Sequence, residues 1–444
     1  MSQTYESLIT DLMGRWPESR IEPSLVRIAS VVELLGDPQR AYPVIHVTGT
    51  NGKTSTARMI ESLLRACGLR TGLYTSPHLL DPRERIVFDG EPISIERFTR
   101  TWEDIAPYVD LVDKKSVADG GIPLSFFEVM TAMAFAAFAD APVDVAILEV
   151  GLGGTWDATN VADGLVNVVT PIGLDHHEYL GDSIIEIASE KAGIITEGSV
   201  AILAAQDVEA AEILIERCAE VEAVIARQGV EFGVIQRDVA VGGQLLALQG
   251  LHGRYDDVFL PLFGEHQAHN AAVALAATEA FIGNSELDPE IVREGFGTVT
   301  SPGRLEVLRR NPTIIVDAAH NPHGAQALAG AVDDSFEFSR LIGVIGMLEE
   351  KDATGILTAL EPVLDQVVIT SPRSPRALGA EDLADLAIEI FGEERVRCEV
   401  SLSSAIDTAV TIAEEEAMYG GVGVLITGSV VLVGDAKRIL GDAR

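Results

Sequence analysis

Val44-Ile45-His46-Val47-Thr48-Gly49-Thr50-Asn51-Gly52-Lys53-Thr54-Ser55 runs from a β-rich segment, through a glycine-containing turn, into a helix. Val44–Val47 reads as the strand. From Thr54 to Cys67 the residues Met59, Ile60, Leu63 and Leu64 form one apolar helical face. This is the context a phosphate-binding loop requires. Glycines let backbone N–H groups converge on oxygen atoms without Cβ clashes, and the helix N-terminus adds partial positive charge. Lys53 can reach terminal phosphates, and Thr54 can offer its hydroxyl to magnesium. The full GxxxxGK[ST] pattern asks for glycine where this chain has Val47, so the loop is a variant. Alone it suits a small-molecule kinase as well as a ligase, and an ordinary helix cap with a lysine is the plain alternative. No Asn is followed by Lys, so the guanine signature of a GTPase switch is missing.

Outward from that loop, strands and helices alternate. Leu73–Thr75, Val143–Leu148 and Leu165–Thr170 read as strands, and Ser125 to Ala139 and Ser183 to Lys191 as helices. The alternation indicates a mostly parallel, doubly wound α/β sheet. Ala201–Leu203 and the stretch from Val224 to Phe263 are rich in Val, Gly and turn residues, and are expected to form an antiparallel addition at the sheet edge. Helical pattern returns from Asn270 to Phe281. Around Ser301-Pro302-Gly303 the pattern restarts, with strands at Thr313–Val316, Leu341–Ile345, Gln366–Thr370 and Gly423–Thr427 and a turn into a helix over Asp317–Gly324. The expected architecture is a P-loop ATPase-like domain over residues 1–296 and a smaller Rossmann-like α/β domain over 297–444.

Bulk properties remove several function classes. The 444 residues carry 32 basic against 68 acidic side chains, a net charge of −36. A general nucleic-acid binder needs a basic footprint, and docking on anionic lipid needs the same. Cys67, Cys218 and Cys398 are scattered, without metal spacing, and an odd count suits a reducing compartment. Met1 to Arg15 carries acids among its apolar residues, unlike a signal peptide. The most apolar stretch, Val129 to Val150, is interrupted by Asp140, Pro142 and Asp144, and reads as a buried helix and strand rather than a membrane span. A cytoplasmic chain is expected.

A second group of polar residues falls at strand ends, where open α/β sheets bind ligands. Glu149 follows the apolar run Val145–Leu148 and precedes Gly151, Gly153 and Gly154. There it can hold magnesium, or be an exposed strand-end acid. His176 and His177 follow the next strand and would be surface residues or ligands. Lys191, one of only six lysines, lies in Ala188-Ser189-Glu190-Lys191-Ala192-Gly193-Ile194. A salt-bridged lysine at a helix end is the bland reading.

Taken in order, Gly49–Ser55, Tyr74-Thr75-Ser76-Pro77-His78-Leu79, Glu149–Gly154, Leu174-Asp175-His176 and Glu190–Ile194 resemble the folylpolyglutamate synthase/dihydrofolate synthase family of the Mur ligase superfamily. Gly264-Glu265-His266-Gln267 with Asn270-Ala271-Ala272, then Pro302-Gly303-Arg304-Leu305-Glu306, then Asp317-Ala318-Ala319-His320-Asn321-Pro322 complete the pattern. The resemblance implies that Asn51, Gly52, Lys53, Thr54 and Ser55 hold the ATP phosphates. It implies one Mg²⁺ on Thr54 and Glu149, and a second on Ser76, Glu149 and His176. Lys191 would be carbamylated by CO₂ beside that second metal. Asn270 and Arg304 would contact ATP, Asp317 the ribose, and His320 would lie close to the nucleotide. The implied reaction phosphorylates a carboxylate with ATP and joins the acyl phosphate to the amine of glutamate. Folate, L-glutamate and ATP would be the small-molecule partners of a monomer, with domain closure between Arg304 and the phosphate loop excluding water. Three departures stand out. Thr54 replaces a glycine usual in the folate enzymes, leaving either Thr54 or Ser55 as the metal hydroxyl. Thr155 stands where Arg is usual. Glu350 before Lys351-Asp352 departs slightly. Phe126 and Phe127 are core residues or a stacking surface for a pterin, and Arg373 and Arg376 are surface residues or carboxylate clamps. A cell-wall Mur-type ligase and a non-catalytic ATP-binding module remain the alternatives.

Overall fold

The computed structural model describes residues 4–17, 20, 22–283, 285–416 and 421–441. Residues 1–3 of the stretch read against a signal peptide lie outside these; the helix Tyr5–Met13 follows, with Thr4 as its N-cap. The chain divides into two compact units. One comprises Met1–Gln236, Leu246–Phe259 and His269–Val299; the other comprises Arg237–Leu245, Leu260–Ala268 and Thr300–Arg444.

The first unit is built on eight strands: β1 (Val44–Thr48), β2 (Thr71–Tyr74), β3 (Ile86–Phe88), β4 (Glu91–Pro92), β5 (Val145–Glu149), β6 (Gly164–Val169), β7 (Val200–Leu203) and β8 (Val224–Arg227). Their order is β4-β3-β2-β5-β1-β6-β7-β8. β1 and β5 are buried along their whole length, as expected of central parallel strands covered on both faces. The helix Phe126–Asp140 starts at Ser125, whose hydroxyl and Glu128 form a capping box. It buries Val129, Met130, Met133, Phe135 and Phe138 in the core beside the sheet.

The edge expectation needs correction. β7 pairs with β6, and β8 with β7, both in parallel. The helix Val208–Glu220 separates β7 from β8. A crossover of that length returns the chain in parallel. Its apolar positions Ala210, Leu214 and Cys218 were readable at helical spacing. The antiparallel pairings of this sheet are β2 with β3 and β3 with β4, at the opposite edge. Residues Gly233–Leu260 make a separate three-stranded sheet from β9 (Gly233–Ala240), β10 (Gly243–Gln249) and β11 (Arg254–Leu260). Only Val241 and Gly242 join β9 to β10, a link short enough for an antiparallel return alone.

The second unit holds a six-stranded sheet of β12 (Glu306–Arg310), β13 (Thr313–Val316), β14 (Arg340–Ile345), β15 (Gln366–Ile369), β16 (Val396–Cys398) and β17 (Val422–Thr427). The order is β12-β13-β17-β14-β15-β16, with β12 antiparallel and the rest parallel. Leu341, Ile345, Leu357, Ile369 and Leu425 centre its core. No described helix is long and apolar enough to cross a membrane.

Candidate active site

The loop after β1 is fixed by two glycines with positive φ. At Gly49 (φ +141°) a Cβ would collide with the Thr170 hydroxyl and stand 2.9 Å from its carbonyl oxygen. At Gly52 (φ +87°) it would stand 2.7 Å from Oδ1 of Asn270. Asn270, on the helix Glu265–Ile282, therefore lies against the loop. Thr50 N–H donates to the Pro171 carbonyl at 3.0 Å, and the Gly173 N–H donates to the Thr50 hydroxyl at 3.0 Å. The Thr48 hydroxyl donates to the Gly153 carbonyl at 2.8 Å. The turn is thus strapped to the segments that follow β5 and β6.

Two lysines meet here. Lys53 opens the helix Lys53–Ala66, and its ammonium donates to the carbonyls of Gly49 and Thr50, each at 3.0 Å. Lys191, in the last turn of the helix Ile184–Ala192, donates to the same Gly49 carbonyl at 2.8 Å. It is 3% exposed. Burial, and then the charge of Lys53, push the Lys191 pKa down to about 7, partly opposed by Asp175, Asp157 and Glu190. Lys191 does lie at a helix end, but the partner found there is the Gly49 carbonyl and not the carboxylate of a salt bridge.

Glu149 ends β5 beside Val47 of β1. It is 1% exposed, so it is no surface acid. Its Oε1 accepts from the Thr54 hydroxyl at 2.7 Å and its Oε2 from the Ser76 N–H at 3.2 Å. The hydroxyl of Thr54, one of the two left open by the sequence, thus reaches this carboxylate. His176 precedes the short helix His177–Leu180 at φ +53°, and its Nε2 lies 3.8 Å from Asp175 Oδ2. Among the described residues, no group of three His, Cys, Asp or Glu side chains could hold a metal ion. The donors at Glu149 still suit Mg²⁺, which uses one or two carboxylates together with hydroxyl, water and phosphate oxygens.

Asp157, which the sequence reading did not single out, braces the glycine loop after β5. Its carboxylate accepts from the N–H groups of Gly151 and Leu152, both at 3.0 Å, and of Thr159 at 2.9 Å. Burial pushes its pKa up, against the pull of these donors. The available signal was an Asp three residues past the last glycine, at the N-cap of the turn Ala158–Val161. Thr155 donates from both N–H and hydroxyl to the Glu190 carbonyl, each at 3.1 Å, tying this loop to the helix that carries Lys191.

The Thr75 N–H donates to the Arg85 carbonyl at 3.0 Å, and Arg85 is 2% exposed. It donates from Nε to His78 Nδ1 at 2.9 Å and lies 5.0 Å from the Phe126 ring centre. One face of Phe126 is thus occupied by a guanidinium. Phe127 packs at 6.0 Å from Tyr74. Glu84 accepts from the N–H groups of Leu79, Leu80 and Asp81, shaping the 79–81 segment.

In the second unit, Asp317 follows β13. Its carboxylate accepts from Leu305 N–H and Ala319 N–H, each at 2.8 Å. Burial pushes its pKa up and the Arg304 guanidinium draws it back. Glu306 accepts from Gly303 N–H and Lys437, each at 2.7 Å, so the 303–306 turn is held at both ends. Ring Nδ1 of His320 donates to the Ala318 carbonyl at 2.8 Å. Arg376 pairs with Glu350 at 2.6 Å.

The model of the Mur ligase middle domain matches residues 125–278, and that of the Mur ligase glutamate ligase domain matches residues 303–430. A dihydrofolate synthase/folylpolyglutamate synthase of Mycobacterium tuberculosis is 53% identical over 96% of this chain and 92% of its own length. The chain belongs to the dihydrofolate synthase/folylpolyglutamate synthase family of Mur ligases. Within that family, the Bacillus subtilis enzyme is 34% identical over 95% of each chain. The solved Mycobacterium tuberculosis folylpolyglutamate synthase complexed with ADP superposes with a TM-score of 0.95, at 52% identity and 98% coverage of both chains. Escherichia coli FolC in complex with DHPP and ADP superposes at 0.85, with 32% identity over 100% of this chain and 99% of that one.

Proposed function

We infer that this enzyme is an ATP-dependent ligase that adds L-glutamate to folates. The observation that carries the reading is the meeting of Lys53 and Lys191 at the Gly49 carbonyl, beside Glu149 and Thr54. That is a cationic, carboxylate-edged cradle at the C-terminal ends of parallel strands, in a chain of this family.

A carboxylate is a poor electrophile, so it takes the γ-phosphoryl of ATP first. Lys53 neutralises charge on the transferring group, and the N-terminus of the helix Lys53–Ala66 adds partial positive charge toward the phosphates. The acyl phosphate then yields to the glutamate amine, releasing phosphate. Arg304 adds a further positive charge to the phosphates, and Asp317 accepts from the ribose. Asn270 sits against the loop at Gly52 and borders the same phosphates.

Mg²⁺ bound by Thr54 and Glu149 would supply Lewis-acid neutralisation of phosphate charge, and a second ion would use Ser76, Glu149 and His176. Lys191 fits carbamylation because an amine with a pKa near 7 is largely neutral at physiological pH and so nucleophilic toward CO₂. The carbamate would set a buried anion beside the Lys53 ammonium, giving that cation an opposite charge to face. Three unpaired thiols, one of them exposed, suit a cytoplasmic enzyme, and we propose a monomer.

The test is ADP release by the purified chain with dihydropteroate or tetrahydrofolate, each with L-glutamate and with glutamate omitted. Turnover dependent on both a folate and glutamate is expected. UDP-muramyl peptides supporting turnover in place of folates would reassign the substrate.

A further inference from the structure

His46 stands mid-strand in β1, fully buried between Ile45 and Val47. An aliphatic residue would suit a central parallel strand better, because a buried imidazole must give up its water contacts. Its Nε2 lies 2.8 Å from the Thr159 hydroxyl, and its Nδ1 has no partner. Thr159 Oγ1 is in turn 2.5 Å from Asp157 Oδ1.

The direction of these hydrogen bonds follows from the capacity of one carboxylate. Asp157 has about four lone-pair sites. Oδ2 takes the N–H groups of Gly151 and Leu152, and Oδ1 takes the Thr159 N–H and hydroxyl. Four donors leave no place for a carboxyl proton, so Thr159 spends its single hydrogen on Asp157. Toward His46 the hydroxyl can only accept. His46 is therefore the neutral Nε2–H tautomer, with Nδ1 a bare acceptor.

The far end of this chain of bonds reaches the cradle. Asp157 grips the start of the Gly151–Thr155 loop. Gly153 receives the Thr48 hydroxyl, and Thr155 donates twice to the Glu190 carbonyl, one residue before Lys191. Gly154 lies flat on that helix end: a Cβ would stand 2.7 Å from the Glu190 carbonyl oxygen and 2.9 Å from that of Lys191.

We propose that His46, Thr159 and Asp157 form a buried positioning relay that sets the Gly151–Thr155 loop and, through it, the placement of Lys191 over the phosphate loop. It rests on the reading of Lys191 as part of the ligase cradle. The unpaired Nδ1 fits a histidine kept for direction rather than for stability.

The experiment compares Thr159→Val and Thr159→Ser with wild type in ADP release, alongside ¹⁵N-histidine NMR of the wild-type full chain. Thr159→Val keeps the volume and removes the hydroxyl. It should lower kcat at least tenfold with the KM for ATP within threefold, while Thr159→Ser recovers kcat to within threefold of wild type. The His46 ring should report the Nε2–H tautomer. A valine variant with wild-type kcat, a serine variant as impaired as the valine one, or an Nδ1–H ring overturns the relay. Should the valine variant not fold, the wild-type tautomer and the serine variant still decide. The ligase reading is judged on wild type alone: no folate- and glutamate-dependent ADP release retires it and leaves the relay to the tautomer.

Discussion

Lys53 and Lys191 share one acceptor, the carbonyl oxygen of Gly49, at 3.0 and 2.8 Å. Burial and the charge of Lys53 favour the neutral amine at Lys191, and an oxyanion entering the loop would offer the Lys53 ammonium a better partner than a shared carbonyl. The cradle is thus primed for anions inside a protein of net charge −36.

Lys53→Ala removes the ammonium proposed to reach the phosphates. Turnover should fall at least ~100-fold, the scale set by losing a positioned transition-state charge. Lys53 is only partly buried, so the fold should survive, and circular dichroism should show an unchanged melting curve. An active Lys53→Ala enzyme contradicts the loop assignment.

Lys191 links the site to pH. Its pKa falls from 10.5 to about 7 on folding, so between those limits the folded chain binds fewer protons than the unfolded one. Stability of the unmodified enzyme should therefore rise with pH across that window, with the burial penalty fully present below about pH 7. Lys191→Met should be more stable than wild type at pH 6.5 in CO₂-free buffer, by several kcal/mol, since each tenfold loss of proton affinity on folding costs ~1.4 kcal/mol. The gap should close toward pH 10. Urea melts across pH measure this, and a gap independent of pH would refute it. The same variant should lack turnover.

Glu149→Gln keeps the side chain's shape but turns one acceptor oxygen into a donor. With its oxygen toward the Ser76 N–H, the amide can donate to the Thr54 hydroxyl, so both contacts persist and the negative charge is what is lost. The magnesium concentration for half-maximal ADP release should rise at least ~10-fold, on the scale of a lost metal-supporting contact. A magnesium titration of wild type and variant checks this.

Gly49→Ala places a methyl group on Thr170 in a backbone conformation that L side chains rarely adopt. Destabilisation of about 2–4 kcal/mol is expected, from strain and overpacking together. Equilibrium unfolding would show it. Gly198→Ala makes a useful control, because its φ is also positive yet nothing lies within 4 Å of its Cβ.

Arg304→Ala should lower turnover at least ~10-fold, with a smaller fall in melting temperature from the loss of the charge that faces buried Asp317. The turn that bears it is held by Asp317 and Glu306 rather than by its own guanidinium. A thermal shift assay with parallel kinetics separates the two effects.

Much of the fold was legible because its central strands are mainly apolar runs, interrupted only by His46 in β1 and Asn167 in β6, between recognisable helical segments. Val44–Thr48, Val145–Glu149 and Gly164–Val169 are of that kind, and the capping residues Ser125 and Ser183 marked two helix starts. The edge was misread where burial gives no period. β9 has no buried residue at all, and β8 only one, so neither displays which face is inward. Within the site, Lys53, Thr54, Glu149 and Lys191 were readable as residue types at strand and helix ends. Asp157, Thr159 and His46 were not, because their partners lie in different strands and turns. Only folding places His46 of β1 against the turn that follows β5.

The outermost strands of the large sheet are clipped. β4 is two residues long and includes Pro92, which has no N–H to give, and β8 has four residues. A nascent or partly unfolded copy therefore offers little ladder for a neighbour to extend, and its charge keeps neighbours apart. Refolding from urea at high protein concentration should consequently yield clear solutions rather than precipitate.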